Sequence, residues 1–155
     1  MIGISRSPEK SSLFLPYKKR SNLNFSFYQL DLNSDVNEIL QLLDSFKPHY
    51  VVNFAAQSEV APSWDYPEHW FQTNVVSLTI LMTELIRRRY LQRYIHISSP
   101  EVYGTSNGCV TENTPLNPST PYAASKAAAD MFLFTLVKNY NFSMTTSIYL
   151  YSIFY

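Results

Sequence analysis

Tyr122 and Lys126 stand four residues apart in the stretch TPYAASKAAAD, Thr120 to Asp130, whose alanines read as a helix. Side chains at that spacing lie on one helix face a turn apart, so both can reach a single cleft. An ammonium fixed beside a phenol favours the phenolate. Tyrosine ordinarily ionises near pH ~10, and each tenfold gain in its acidity takes ~1.4 kcal/mol of differential interaction, so the pair makes a base usable nearer neutrality. The same spacing also occurs on ordinary amphipathic surface helices, and the other elements of the chain have to decide between the two readings.

At 155 residues, with 46% hydrophobic content, the chain is long enough for one domain with its own core. Twelve basic and twelve acidic residues balance, which removes any general attraction to nucleic acid or anionic lipid and leaves a small molecule as the expected partner. The lone Cys109 excludes an internal disulfide framework and a multi-cysteine zinc site, and it sits in a polar loop with no sequence-adjacent base to make it a nucleophile. His49, His69 and His96 fall on separate elements without metal-ligand spacing, so structural roles are expected of them and no metal is. The start, MIGISRSPEK, lacks a signal-peptide apolar core, and no apolar run approaches the ~18 residues that span a bilayer; a soluble, cytoplasmic protein is expected. Gly3, Gly104 and Gly108 are the only glycines, too few for a Gly-rich phosphate loop.

Short β-prone runs alternate with longer helical patterns, which predicts βαβ units on a parallel sheet. MIGIS and NFSFYQL read as the first two strands, with a polar segment from Arg6 to Ser21 between them. Asp35 to Phe46 carries the helical stripe Val36, Ile39, Leu40, Leu42 and Leu43, with Ser34 or Asp35 as its N-cap and Pro48 as its stop. YVVNFAA reads as a buried strand. Pro67 to Arg89 reads as one long helix closing on three arginines that suit its C-terminal dipole. RYIHISS is the next strand, followed by a Pro-, Asn-, Thr- and Ser-rich loop over 100–120, a helix from about Pro121 to Asn139 and a last strand from Met144 to about Leu150. Ligands of such sheets gather at the carboxyl ends of the strands, which here carry DLNSD, NFAAQS and SSPEVYG.

In order and spacing, DL at Asp31 and Leu32, NFAAQS from Asn53, TNV from Thr73, SSPEVYG from Ser98 and PYAASK from Pro121 resemble the extended short-chain dehydrogenases/reductases. Within that superfamily the chain resembles the nucleotide-sugar epimerases and 4,6-dehydratases. The resemblance implies a Rossmann-like, doubly wound parallel α/β sheet, a bound NAD or NADP, a nucleotide-sugar substrate and a homo-oligomer when intact. Asp31 and Leu32 would flank the adenine. Phe54, Ala55, Ala56 and Ser98 would line the cofactor, with the alanines exposing bare backbone to its ribose and phosphates. Arg6, just after the first strand, would favour the 2′-phosphate of NADP. Asn74 would be a helix residue that steadies the neighbouring strand.

On the same resemblance, Ser99 would hydrogen-bond the sugar 4-hydroxyl, Tyr122 would take its proton, and Lys126 would hold the nicotinamide ribose and lower the tyrosine pKa. Glu101 would abstract the C5 proton made acidic by a 4-keto group, the step that separates dehydratases from 4-epimerases; without the resemblance it reads as a solvated loop acid. Pro100 departs from the pattern, because many dehydratases carry there the Asp that protonates the leaving 6-hydroxyl.

Laid against the family, Met1 falls inside the second strand of the fold, so the expectation is a partial Rossmann domain over 1–155. The first strand, the Gly-rich loop and the C-terminal substrate domain would be absent, and SIYLYSIFY would end a truncated or frame-shifted chain. Such a fragment is expected to be fragile, to bind NAD or NADP weakly if at all, and either to leave a gap beside YVVNF or to shift MIGIS into it. Two other readings stand beside the dehydratase: a nucleotide-sugar 4-epimerase or decarboxylase, and a non-catalytic remnant or binding subunit.

Overall fold

The computed structural model describes residues 1–19, 24–106, 108–140 and 142–147. Strand β1 (Ile2–Ser5) pairs in parallel with β2 (Ser26–Gln29), Ile2 opposite Ser26. A second parallel sheet has the order β3 (Tyr50–Asn53), β4 (Arg93–Ile97), β5 (Met144–Ser147), with Val51 opposite Tyr94 and Tyr94 opposite Met144. Parallel neighbours cannot be joined by hairpins, so crossovers must link them. α1 (Val36–Phe46) carries the chain from β2 to β3, and α4 (Pro121–Tyr140) carries it from β4 to β5. Among the described residues between β1 and β2 there are only 3₁₀ turns, Ser12–Phe14 and Pro16–Lys19. The end of the last expected strand, Ile148 to Leu150, lies outside the described residues.

Three helices and both sheets share one core. Ile39, Leu40 and Leu43 of α1 fall on one helical face and pack with Leu78, Leu81, Met82 and Leu85, with Ala129, Leu133 and Leu136, and with Tyr94; Ile2, Ile4 and Val51 press on the same cluster from the strands. The alternate residues of β3, Tyr50 and Val52, point the other way and are exposed. α1 follows Asp35, whose carboxylate accepts the Asp31 N–H (2.8 Å) and the Ser34 hydroxyl (2.7 Å) instead of capping the helix itself. It ends at Lys47, in the left-handed region at φ 48°, whose N–H returns to the Leu43 carbonyl at 2.7 Å.

The expected single helix from Pro67 to Arg89 differs in two ways. It is α2 (Pro67–Phe71), a π turn over Gln72–Ser77, and α3 (Leu78–Leu85), and it stops short of the three arginines. Arg88 nevertheless donates from its guanidinium to the Glu84 carbonyl in the last turn of α3. Its guanidinium forms a two-pronged pair with Asp44 at 2.7 and 3.0 Å, which the Tyr90 hydroxyl joins at 2.9 Å, so the segment after α3 is tied to α1. The pairing with Arg88 holds the Asp44 carboxyl below the usual carboxylate range.

Of the two outcomes expected for MIGIS, the gap is what appears. Among the described residues no ladder joins β1 to β3, and a cavity of about 870 Å³ lies between them. Ile2 and Ile4 line one side, Val51 and Val52 the other, and Ile39, Leu43 and Leu81 of the helices contribute the rest of its apolar lining.

Candidate active site

The residues singled out by sequence separate into two groups. Arg6, Asp31, Leu32, Phe54, Ala55 and Ala56 all line the cavity between β1 and β3, at the carboxyl ends of the strands. Their loops are held by local hydrogen bonds from short polar side chains, which compete well with regular structure at such turns. Asp31 Oδ1 accepts the Asn33 N–H at 2.8 Å, and Asn53 Oδ1 accepts the Ala55 N–H at 3.0 Å. Asn33 is fixed in turn by donating to Thr73 Oγ1 (3.0 Å) and accepting from Ser77 Oγ (2.8 Å). Arg6 is exposed, and its carbonyl accepts from Gln29 Nε2 at 3.1 Å.

The second group, Ser98, Ser99, Glu101, Tyr122 and Lys126, lies where the end of β4 meets the start of α4. Ser99 is the cap of a 3₁₀ turn over Pro100–Tyr103, its Oγ accepting the Glu101 N–H at 3.3 Å, with Pro100 in the first turn where its missing N–H costs nothing. Glu101 itself is exposed. The turn ends at Gly104, at φ 66°, where an added Cβ would stand 2.1 Å from the Asn117 carbonyl oxygen. α4 begins after Thr120, whose Oγ1 accepts the Ala123 N–H at 3.0 Å, and the Tyr122 N–H donates to Ser63 Oγ at 3.2 Å. Tyr122 and Lys126 are both buried, Lys126 to 2% exposure.

Lys126 reaches down rather than out. Its Nζ donates to the Ile97 carbonyl at 2.7 Å and lies 3.4 Å from His96 Nε2. Burial draws its pKa down to about 8, against the pull of nearby Asp130. His96 is driven down to about 3, first by burial and then by the Lys126 charge, so its imidazole is neutral. Ser98, expected to face the cofactor, instead donates its hydroxyl to Asp130. Burial raises the Asp130 pKa, with the Ser98 hydrogen bond and Lys126 opposing.

Asn74 occupies the π turn and is 3% exposed. An extra residue per turn re-aims side chains at such places. Here Asn74 Oδ1 accepts the Gln57 N–H (2.8 Å), while Nδ2 donates to the Gln57 carbonyl (3.0 Å) and to Ser125 Oγ (2.9 Å). The loop after β3 is thereby joined to α4, the steadying role expected of Asn74. Ser63, Ser125 and Asp130 escaped sequence reasoning, and His96 was given only a structural role. For Asp130 a signal existed: it lies four residues after Lys126 in a run of alanines, on the same buried face.

Residues 7–152 match the family model described as GDP-mannose 4,6 dehydratase. This chain belongs to that family. A dTDP-glucose 4,6-dehydratase of Xanthomonas campestris pv. campestris (strain B100) is 38% identical over 120 residues, 70% of this chain and 34% of that protein. A dTDP-glucose 4,6-dehydratase of Mycobacterium tuberculosis (strain ATCC 25618 / H37Rv) is 43% identical over 101 residues, 63% of this chain and 30% of that protein. The chain therefore spans about a third of the curated relatives it matches. DesIV, the dTDP-glucose 4,6-dehydratase of Streptomyces venezuelae solved with NAD and TYD bound, superposes with a TM-score of 0.81 at 26% identity, covering 95% of this chain and 45% of that one. The UDP-Glc/GlcNAc 4-epimerase of Campylobacter jejuni has the same fold, with a TM-score of 0.82 at 24% identity over 96% of this chain and 45% of that one. The Rossmann-like sheet and the membership of the dehydratase/epimerase family thus agree with the resemblance read from the motifs. No helix among the described residues is long and apolar enough to cross a membrane, and no metal-binding cluster occurs among them.

Proposed function

We propose that this chain carries the proton-transfer half of a nucleotide-sugar 4,6-dehydratase. The observation that carries the reading is the junction of β4 and α4: Ser99 caps the turn that presents Glu101, and Lys126 fastens the start of α4, with Tyr122, to the Ile97 carbonyl two residues before Ser99. The cavity suits a nicotinamide dinucleotide. Its volume of about 870 Å³ falls in the ~300–1,000 Å³ range of small-molecule sites, and its mouth offers the carboxylate of Asp31, the guanidinium of Arg6 and the small Ala55 and Ala56. Arg6, Asp31, Leu32, Phe54, Ala55 and Ala56 would hold that group, with the Arg6 side favouring NADP. When bound, it accepts the hydride from the sugar C4.

Around that transfer the chain's own residues move protons. Tyr122 takes the 4-hydroxyl proton, Ser99 donates a hydrogen bond to the same oxygen, and Lys126 would hold the nicotinamide ribose. Glu101 then removes the C5 proton, which the neighbouring carbonyl has made acidic. Pro100 has no proton to give, so Glu101, exposed and adjacent, also returns a proton to the leaving 6-hydroxyl. The small cofactor-loop glycine count and the open cavity between the sheets favour a second reading, a weakened or non-catalytic binding subunit.

The test is a chimaera in which this chain replaces the matching third of the Xanthomonas relative. A 4-keto-6-deoxy product is expected, and Glu101→Gln is expected to abolish elimination while cofactor reduction remains measurable. A chimaera that only interconverts 4-epimers would overturn the dehydratase reading, and a folded chimaera that does neither would favour the binding subunit.

A further inference from the structure

Behind the junction lies a buried polar cluster to which the proposed chemistry gives no role: Asn53 on β3, His96 and Ser98 at β4, and Asp130 on α4. The Ala55 N–H donates to Asn53 Oδ1 at 3.0 Å, which fixes the amide with Nδ2 towards His96 Nδ1, 3.5 Å away. An amide nitrogen and an ammonium nitrogen both only donate, so Asn53 Nδ2 and Lys126 Nζ compete for the one acceptor nitrogen of a neutral imidazole. Nε2 lies 3.4 Å from Lys126 Nζ and 3.8 Å from Asp130 Oδ1. Asp130 Oδ2 takes the Ser98 hydroxyl, while Oδ1 is buried without a hydrogen-bond partner. His96, Lys126 and Asp130 are each 2% exposed, and a carboxylate oxygen shut away from water is costly unless a donor or a cation compensates it.

We propose that His96 and Asp130 are positioning residues for Lys126: Asp130 supplies the buried negative charge that keeps the ammonium in place, and His96, a neutral imidazole between them, spaces the two. The proposal rests on the role given to Lys126 above. It also links the cavity to the ammonium, because the chain of contacts starts at Ala55, on the cavity wall, and ends at Lys126.

Of the other titratable groups on the packed elements, Glu101 and Arg93 are exposed, and two tyrosines are held neutral. Tyr94 of β4 stacks on His96 at 6.4 Å between ring centroids, and burial raises its phenol. Tyr103 of the 3₁₀ turn is likewise raised, by burial first and then by Glu112 and Asp130. Asp130 is therefore the anion that matters to Lys126, an assignment consistent with its upward pull on the lysine.

The experiment is an NMR titration of the full chain labelled with ¹⁵N-histidine and ¹³C-lysine. In the unaltered protein His96 is expected to stay neutral throughout the range above about pH 5. In Asp130→Asn the Lys126 acid dissociation constant is expected to rise about tenfold or more, the effect of losing an opposite charge at this range. Ser98→Ala, which keeps the charge, is expected to leave Lys126 near its original value while lowering stability. A role in packing alone would lower stability in both variants and leave Lys126 unmoved, and that result overturns the proposal. A charged His96 above about pH 5 in the unaltered protein overturns it without any variant. Because no substrate is involved, an inactive chimaera with the expected titration would count against the dehydratase reading and not against this one.

Discussion

The two halves of the molecule differ in how their backbones are satisfied. β3, β4 and β5 form a continuous parallel ladder, with β4 paired on both edges and Tyr94 fully buried against α3 and α4. β1 and β2 pair only with each other, their residues are at best half-buried, and β1 faces the cavity. An isolated two-stranded pair is marginal in water, whereas a strand paired on both sides and covered by helices is the most protected part of a domain. The residues proposed for proton transfer sit on the closed half, whereas of the expected cofactor residues Arg6, Asp31 and Leu32 sit on the open half and Phe54, Ala55 and Ala56 follow β3 across the cavity. Chemistry that needs fixed geometry thus has a rigid base, and the cavity carries the part of the site least braced by the fold.

The sharpest way to expose that asymmetry is to remove equal volumes from each side. Leu85→Ala or Leu133→Ala, at fully buried positions, is expected to cost ~2–5 kcal/mol in urea unfolding, and Ile2→Ala, half-buried beside the cavity, clearly less. Equal losses would erase the distinction. Gly104→Ala comes next: its positive φ and the 2.1 Å approach of the Asn117 oxygen predict a loss of ~1–3 kcal/mol and displacement of the turn bearing Glu101. Asn74→Ala, which strips partners from Gln57 and Ser125, is expected to cost ~1–3 kcal/mol and to loosen the polar tie between the β3 loop and α4.

The smallest effect concerns pH. His96 has a folded pKa of about 3 against an ordinary value of 6.5, so below 6.5 the unfolded chain takes up a proton that the buried imidazole refuses. Its contribution to stability is therefore intact above 6.5 and declines as pH falls, by up to ~1.4 kcal/mol for each pH unit. The carboxylates of Asp44, Asp35 and Glu9 are lowered and titrate further down, whereas Asp130, raised by burial, binds its proton more readily in the folded chain and opposes this slope. Urea midpoints measured between pH 6.5 and about 5 are expected to flatten in His96→Gln.

Much of this was legible in the sequence because periodicity and turn residues report local preference. The stripe from Val36 to Leu43, the strands before DLNSD and SSPEVYG, and the helix opening at Pro121 all appear where their patterns place them. The single helix over Pro67–Arg89 failed because a tertiary need won: the π turn is what lets Asn74 reach both Gln57 and Ser125, and no residue in that stretch is a breaker. The arginine run reaches the end of α3 as read, through Arg88 and the Glu84 carbonyl, but its bidentate partner Asp44 lies 44 residues earlier in the chain and no local pattern points to it. His96 was read as merely structural and Ser98 as cofactor-facing. Only the register of β4 against α4 reveals that both turn towards Asp130, a pairing no local spacing encodes.

Amide hydrogen exchange on the intact chain tests the contrast between the halves most directly. The N–H groups of Tyr94–Ile97 and of buried α4 are predicted to be the slowest to exchange, and those of Ile2–Ser5 and Ser26–Gln29 to exchange orders of magnitude faster, through local opening. Equal protection of β1 and β4, or faster exchange in β4, would contradict it.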